Sequence, residues 1–196
     1  MIETINNSGN ITATGNRAIY NKNENDGRNY GEIDTLINSG TISAGSHAIH
    51  NTGTITTITN TGTIESTGSG YSIKNEGVIA NLTNSKGASG STLTYTGTVP
   101  TNYNIIINSA SDFGKIAFTS ITGSLNFNVD SESELAGGTT YSSIMTGISS
   151  GSISGQSGSH LNTSTGDRFE WSLENGGDAT TWNLVTETPQ SITPPT

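Results

Sequence analysis

The sequence contains no cysteine, so no disulfide bond stabilises the folded chain. This absence fits a secreted bacterial protein that stays free of disulfide crosslinks during export, although many cytosolic chains also lack cysteine. Basic residues are scarce as well: seven Lys and Arg against sixteen Asp and Glu give a formal net charge of −9. Nucleic acids and anionic membranes bind clustered Lys and Arg, so the charge balance argues against both as partners.

Helical periodicity and long hydrophobic runs are also missing. No stretch has apolar residues at the three- and four-residue spacing of a helix, and no apolar run is long enough to span a bilayer. Glycine recurs throughout the sequence, and each glycine inside a helix would destabilise that helix by about 1 kcal/mol, which argues further against helices. Only 30% of the residues are hydrophobic and 12% are charged. In a chain without repeats this composition is typical of disorder.

A repeat is nevertheless present in the first half of the chain. It is a seven-residue phrase: aliphatic, any residue, Asn, any residue, Gly, any residue, Ile. Clear copies begin at Ile5, Leu36, Ile49, Ile58 and Ile73, and partial copies begin at Ile19 and Leu82. Short and long links alternate between copies, so the true repeat is two phrases long, with a period in the twenties that is typical of stacked solenoid units.

The spacing inside the phrase predicts strands. The aliphatic residue, the Asn, the Gly and the final Ile are each two residues apart, so an extended backbone puts them on one face. We therefore predict an all-β chain folded as a right-handed parallel β-helix, with a capping segment at its C-terminal end. Strands of successive coils are expected to pair at a spacing of about 4.8 Å.

The repeated Asn and Gly have structural roles in such a fold. Inward-facing Asn side chains can hydrogen-bond to one another along the stack, and Gly can adopt the positive φ of a tight corner. The predicted ladder residues are Asn7, Asn38, Asn51, Asn60 and Asn75, and the predicted corner glycines are Gly9, Gly40, Gly53, Gly62 and Gly77. Their repetition indicates a scaffold rather than ligand contacts.

The composition predicts two main regions and a linker. Residues 1–90 carry the phrases, with a polar loop expected at 22–30. Residues 91–188 contain all four Phe and both Trp, which favours a well-packed end of the solenoid. We expect Phe127, Phe169, Trp171 and Trp182 to fill or cap that end, because the terminal coil of a repeat protein needs its core covered. The Pro-rich residues 189–196 are predicted to be a disordered linker.

The titratable residues offer little chemistry. His47, His50 and His160 do not form a pattern of three or four converging zinc ligands, and no Gly-x-Ser-x-Gly nucleophile motif occurs. The acids considered for glycosidic cleavage are Glu65, Glu76, Asp130, Glu132 and Glu134. We interpret the acids between residues 130 and 134 as a charged loop. The sequence therefore predicts no enzyme, no cofactor and no metal site.

Outward-facing polar residues are the remaining candidates for contact with a partner. Thr41, Thr54 and Thr63 occupy the same position of the phrase, so a hydroxyl row along the solenoid is expected, with His50 on the same outer surface. Such a row can support self-association or sugar contacts. Outward Thr is also simply a favourable strand residue.

Two features together resemble a known family. The first is the iterated phrase, for example Ile58-Thr59-Asn60-Thr61-Gly62-Thr63-Ile64. The second is a C-terminal block that includes Tyr103-Asn104-Ile105-Ile106-Ile107 and Trp171-Ser172-Leu173-Glu174-Asn175. With these features the chain resembles the C-terminal passenger region of Gram-negative, AIDA-like (type V secreted) autotransporter adhesins.

The resemblance implies a function and a location. Such a passenger lies at the bacterial cell surface and is tethered to the outer membrane by a barrel that follows it in the full-length protein. Its C-terminal part acts as an autochaperone-like folding nucleus. The expected partners are a host-cell surface or glycan, or identical molecules, in adhesion or cell–cell aggregation. Two alternatives stay open: a polysaccharide-acting β-helix enzyme, and a purely structural stalk for an N-terminal effector.

Overall fold

The computed structural model describes residues 1–23 and 31–188, which form a β-solenoid of parallel stacked coils. The predicted all-β, parallel β-helix class is confirmed. Most of the predicted loop at 22–30 and the whole predicted linker at 189–196 lie outside the described residues.

The described residues contain nineteen strands and one short 3-10 helix. In chain order they are β1 (Ile2–Asn7), β2 (Asn10–Ala13), β3 (Arg17–Asn21), β4 (Glu32–Asn38), β5 (Thr41–Ala44), β6 (His47–Asn51), β7 (Thr54–Asn60), β8 (Thr63–Ser66), β9 (Ile73–Asn75), β10 (Val78–Asn84), β11 (Leu93–Thr98), β12 (Asn102–Ile105), β13 (Ile116–Thr122), β14 (Leu125–Val129), β15 (Thr140–Thr146), the 3-10 helix (Ser150–Ser152), β16 (Ile153–Ser154), β17 (Ser157–Leu161), β18 (Arg168–Asn175) and β19 (Trp182–Thr186).

The strands form three sheets along the solenoid axis. Sheet A has the order β1-β4-β7-β10-β12-β14-β16, and sheet B has the order β2-β5-β8. Sheet C has the order β3-β6-β9-β11-β13-β15, continued by β19, β18 and β17. Successive phrases start alternately on sheet A and sheet C, which is why the repeat is two phrases long.

The strand register arranges the core side chains in columns. In sheet A one column changes from aliphatic to aromatic along the axis: Ile5, Leu36, Ile58, Leu82, Tyr103, Phe127. In sheet C a second column changes in the same way: Ile19, Ile49, Ile73, Tyr95, Phe118. Larger side chains bury more apolar area per rung, so hydrophobic stabilisation increases towards the C-terminal end.

The buried asparagines form two ladders rather than one. On sheet A, Nδ2 of Asn38 donates to Oδ1 of Asn60 at 2.8 Å, and Nδ2 of Asn60 donates to Oδ1 of Asn84 at 2.9 Å. Asn7 begins this ladder with a bond of 2.8 Å to Asn38.

The second ladder runs along sheet C. Nδ2 of Asn21 donates to Asn51 at 2.7 Å, and Nδ2 of Asn51 donates to Asn75 at 2.8 Å. Asn75 ends the ladder by donating to the backbone oxygen of Thr98 at 2.7 Å, because the next position in register is Gly97. The five predicted asparagines thus belong to two ladders, which Asn21 and Asn84 complete.

The phrase glycines mark places where successive coils touch. A Cβ on Gly62 would lie 2.1 Å from the backbone oxygen of Gly40, and the same distance separates a Cβ on Gly77 from the oxygen of Gly53. Gly9, in the first coil, has nothing within 4 Å. The sequence-based reason for these glycines was wrong: none of the five has a positive φ. At Gly40, Gly53, Gly62 and Gly77, close approach of the neighbouring coil, not corner geometry, excludes a side chain.

The C-terminal end changes direction. β19 pairs antiparallel with β15, β18 pairs antiparallel with β19, and β17 pairs antiparallel with β18. These three strands extend sheet C beyond its last parallel strand. Pairing across residue 90 is continuous, because β9 bonds to β11 and β10 bonds to β12. The predicted regions 1–90 and 91–188 are therefore joined into one stack.

Candidate functional site

The outward threonines of the phrase lie on two different faces. Thr41 and Thr63 are in register on sheet B, where they follow Asn10. Thr54 lies on sheet A, in register with Glu32 and Val78. The single row that equal phrase positions predicted does not form, because alternate phrases contribute the same position to different sheets.

A cluster of aromatic and charged side chains lies at the start of sheet C. We call it the basic cluster; its members are Arg17, Tyr20, His47, His50, Tyr71, Lys74 and Glu76. The Tyr20 ring stacks on His50 with ring centres 4.9 Å apart, and the Arg17 guanidinium lies 4.4 Å from the centre of the Tyr20 ring. His47 contacts His50 edge-on and stacks against Tyr71. These rings tie three successive coils together.

Polar contacts hold the cluster in place. His50 Nε2 lies 2.7 Å from Oε2 of Glu76, and Lys74 Nζ lies 3.0 Å from the other carboxylate oxygen. The hydrogen bond from His50, followed by that from Lys74, lowers the pKa of the Glu76 carboxyl. The Tyr71 backbone N–H donates to Nδ1 of His47 at 3.1 Å. Burial, followed by the nearby charges of His50 and Lys74, lowers the pKa of His47.

The cluster corrects the expectation for His50. His50 is only 4% exposed, because Tyr20 covers its ring and Glu76 engages its Nε2. It is therefore not an open contact residue. A sequence signal for the stack existed: Tyr20, His50 and Lys74 each precede an asparagine of the same ladder. Because the repeat is two phrases long, comparing every second phrase aligns these three residues.

A second outer surface lies on sheet A. We call it the amide face; it consists of the partly exposed Asn81, Asn102, Asn104, Asn126 and Asn128 together with Thr83, which is buried, on β10, β12 and β14. These residues alternate with the core residues of their strands and form two rows. In one row, Nδ2 of Asn102 donates to Oδ1 of Asn81 at 3.0 Å, and Nδ2 of Asn126 donates to Oδ1 of Asn102 at 3.4 Å.

The other row has the same construction. Nδ2 of Asn104 donates to Oγ1 of Thr83 and Nδ2 of Asn128 donates to Oδ1 of Asn104, both at 3.2 Å. The strands that carry the face, and the flanking β7 and β16, contain no charged residue. The sequence-based search missed this face, although Asn102-Tyr103-Asn104 and Asn126-Phe127-Asn128 share one visible pattern, an aromatic residue between two asparagines.

The candidate acids take part in local hydrogen bonds. Glu65 accepts from Ser91, and Asp130 accepts from the backbone N–H of Glu132. Glu134 accepts from the Ser164 hydroxyl at 2.6 Å, and this bond lowers the pKa of the Glu134 carboxyl. The bonds of Glu65 and Glu134 join segments that are distant in sequence, whereas the bond of Asp130 lies within one turn, and all three have a structural role.

The loop from 130 to 134 is only partly the exposed charged loop that the sequence predicted. Ser133 is buried; its hydroxyl accepts from the Ile107 N–H and donates to the Ile105 carbonyl oxygen. Its own carbonyl oxygen lies 2.7 Å from Nε2 of the buried His160. The third histidine thus fixes the loop to β17.

The predicted capping aromatics lie at the C-terminal end of the stack. The Trp171 ring contacts Phe127 edge-on with ring centres 5.5 Å apart, and Trp182 Nε1 donates to the Ile148 carbonyl oxygen at 2.8 Å. Phe169 is also buried. Trp171 and Phe169 come from β18 and Trp182 from β19, so the antiparallel strands bring them over the last coils.

Within residues 1–23 and 31–188, no group of three or more His, Asp or Glu side chains is placed to hold a metal ion. The same ranges contain no helix with the length and apolarity needed to cross a membrane. Comparison with known proteins adds no relative: no family model, no curated protein and no solved structure matches the chain.

Proposed function

We propose that this chain is the C-terminal part of an autotransporter-type passenger, a non-enzymatic bacterial surface protein that acts in adhesion or cell–cell aggregation. The observation that carries the proposal is the uncharged, amide- and hydroxyl-rich outer surface that sheet A presents from β7 to β16. This part of the sheet offers similar weak polar contacts on successive rungs. Its expected partners are a host-cell surface, a glycan or an identical molecule.

Repetition makes weak contacts useful. Once one rung is engaged, the next binds at high effective concentration, so the total affinity exceeds that of any single contact. Many copies at a cell surface multiply the effect again. A rigid solenoid suits this role because it holds the contacts at a fixed spacing of about 4.8 Å.

The C-terminal end supports a second part of the proposal, that it promotes folding of the passenger. Aromatic side chains fill the core columns there, and the antiparallel strands cover the last coils. The C-terminal segment is covered on one side by the antiparallel strands, and on its other side it offers unpaired strand edges to the preceding parallel coil. We propose that these edges guide the folding of the passenger outside the cell, where no chaperones are present.

The proposal is tested with latex beads coated with the purified chain. We expect coated beads to adhere to epithelial cells or to aggregate with one another, whereas beads coated with the heat-denatured chain do neither. If beads coated with the native chain neither adhere to cells nor aggregate, the adhesion proposal is rejected and a passive stalk is favoured. Release of reducing sugar ends from polysaccharide by the purified chain would favour the enzyme instead.

A further inference from the structure

We propose that the amide face is a binding site for neutral polysaccharide chains. This inference rests on the proposed adhesive function and specifies its surface and its ligand class.

The geometry of the face repeats in two directions. Neighbouring rungs are about 4.8 Å apart, and alternate residues along a strand are about 6.7 Å apart. Parallel pairing keeps the two rows in register over β10, β12 and β14. Thr57 and Thr59 on β7 continue the rows on one side, and Ser154 on β16 continues one row on the other. A polymer of similar units can therefore contact successive rungs in the same way.

The side chains are held ready for binding. The bonds between Asn102 and Asn81 and between Asn128 and Asn104 run along the axis and fix the amide planes. The four asparagines of β12 and β14 are half-buried, so part of each amide still faces solvent. An amide has two N–H donors and an acceptor oxygen, which matches a sugar hydroxyl that both donates and accepts. Little side-chain freedom remains to be lost on binding.

The charge distribution selects the ligand. The chain carries a formal net charge of −9, so an acidic polysaccharide or a second copy is repelled at long range. A neutral polysaccharide meets no such repulsion, and the strands of the amide face contain no charged residue that would lose its hydration. Charge thus favours a neutral glycan over both.

The experiment is native gel electrophoresis in gels containing galactomannan or dextran, two neutral polysaccharides, with alginate as the acidic comparison. We expect the chain to be retarded by at least one neutral polymer and not by alginate. The double variant Asn104→Ala/Asn128→Ala removes two amides from one row. Loss of two hydrogen bonds at one rung pair should weaken binding by about tenfold or more.

A matched control is available on sheet C. Thr96 and Thr119 are in register on β11 and β13 and are partly or fully exposed. The variant Thr96→Ala/Thr119→Ala also removes two neutral polar groups and should bind like the wild type. Circular dichroism melts identify any variant that fails to fold; for such a variant, Asn104→Ser/Asn128→Ser replaces the alanines and should still weaken binding.

Several results would overturn the inference: no retardation by either neutral polymer, equal retardation of the wild type and the Asn104/Asn128 variant, or retardation by alginate alone. Self-association lost in that variant, without any retardation, would assign the face to a second copy. The bead assay distinguishes failure of this inference from failure of the proposed adhesive function. If beads carrying the variant still adhere, the inference fails and the adhesive function stands; if wild-type beads are inert, the function itself fails.

Discussion

At the scale of single residues, the repeated phrase combines three requirements of a narrow solenoid. The aliphatic residue fills the core, the asparagine bonds to the next coil, and the glycine lets the backbone of the next coil approach. The asparagine role follows from the sequence because inward polar groups must be paired. The role of the glycine cannot be read from the sequence, because a positive φ and a close approach of the next coil both require glycine.

The glycine contact gives a direct test. Gly62→Ala should destabilise the fold by about 1–3 kcal/mol, the range for overpacking, because its Cβ would lie 2.1 Å from a backbone oxygen that cannot move aside easily. Gly9→Ala, at the same phrase position with open space, should change stability by less than about 0.5 kcal/mol. Urea denaturation followed by circular dichroism measures both. Equal effects would contradict the close-approach explanation.

The basic cluster predicts a pH effect. The folded-state pKa of His47 lies below 6.5, chiefly because of burial, whereas an unfolded histidine titrates near 6.5. The unfolded chain therefore takes up protons first as the pH falls. The stability that neutral His47 contributes is complete above about pH 6.5 and is lost as the pH falls through its folded-state pKa.

The variant His47→Asn tests this effect, since its side-chain oxygen can accept the Tyr71 N–H without titrating. Urea midpoints at pH 7.5 and pH 5.5 should differ less in the variant than in the wild type. His50 and His160 are present in both proteins, so the comparison reports the contribution of His47 together with its charge interaction with His50. If the urea midpoints at the two pH values differ by the same amount in the variant and the wild type, His47 has the same proton affinity in the folded and unfolded chains, which contradicts the prediction.

At the scale of elements, alternation of apolar and polar residues is visible in several C-terminal strands. It marks β14, where Leu125, Phe127 and Val129 alternate with Asn, and the aromatic strands β18 and β19. The short strands β16 and β17 carry no such signal, because Ser and Gly dominate them and leave no apolar alternation. The antiparallel direction of β17 to β19 was also not predicted, since alternation of side chains is the same in parallel and antiparallel strands.

The candidate surfaces were less predictable than the strands. His50 and Thr54 were expected on an open surface from their phrase positions alone, but burial and sheet membership depend on the side chains of the coils above and below. Asn104 and Asn128 escaped notice because they lie outside the phrase. Their alignment follows from the register of β12 and β14, which no local pattern specifies.

The packing of the C-terminal strands leads to an element-scale prediction. Residues 93–188 alone should unfold cooperatively, because they keep the aromatic core columns and the antiparallel strands that cover the end. Residues 1–90 alone should be unfolded or marginally stable, because their core is aliphatic and narrow. Chemical denaturation of the two separate segments measures this. If residues 1–90 unfold cooperatively while residues 93–188 are unfolded, the proposed folding order is reversed.

At the scale of the whole molecule, the solenoid is a stack in which each coil is supported mainly by its neighbours. Ile5 and Ile11 in the coil of β1 to β3 are only partly buried, while Leu36 and Ile42 in the next coil are fully buried. Stability is therefore expected to rise along the axis from the first coil to the aromatic end.

Hydrogen exchange measures that gradient. Backbone amides of β1 to β3 should exchange fastest and those of β12 to β15 slowest, because opening the first coils exposes the least apolar surface. Mass spectrometry of peptic peptides resolves these segments in the intact chain. Uniform protection along the axis would mean that the solenoid opens as a single unit.

The two buried ladders also give the interior a direction. In both, every Nδ2 points to the higher-numbered coil, so the side-chain dipoles are aligned and reinforce one another. Rotating one amide, for example that of Asn60, would place oxygen against oxygen on one side and N–H against N–H on the other. Orientation is therefore coupled along each ladder, and it is fixed in the same direction by the bonds that Nδ2 of Asn7, Asn21, Asn38 and Asn51 donates to backbone carbonyl oxygens.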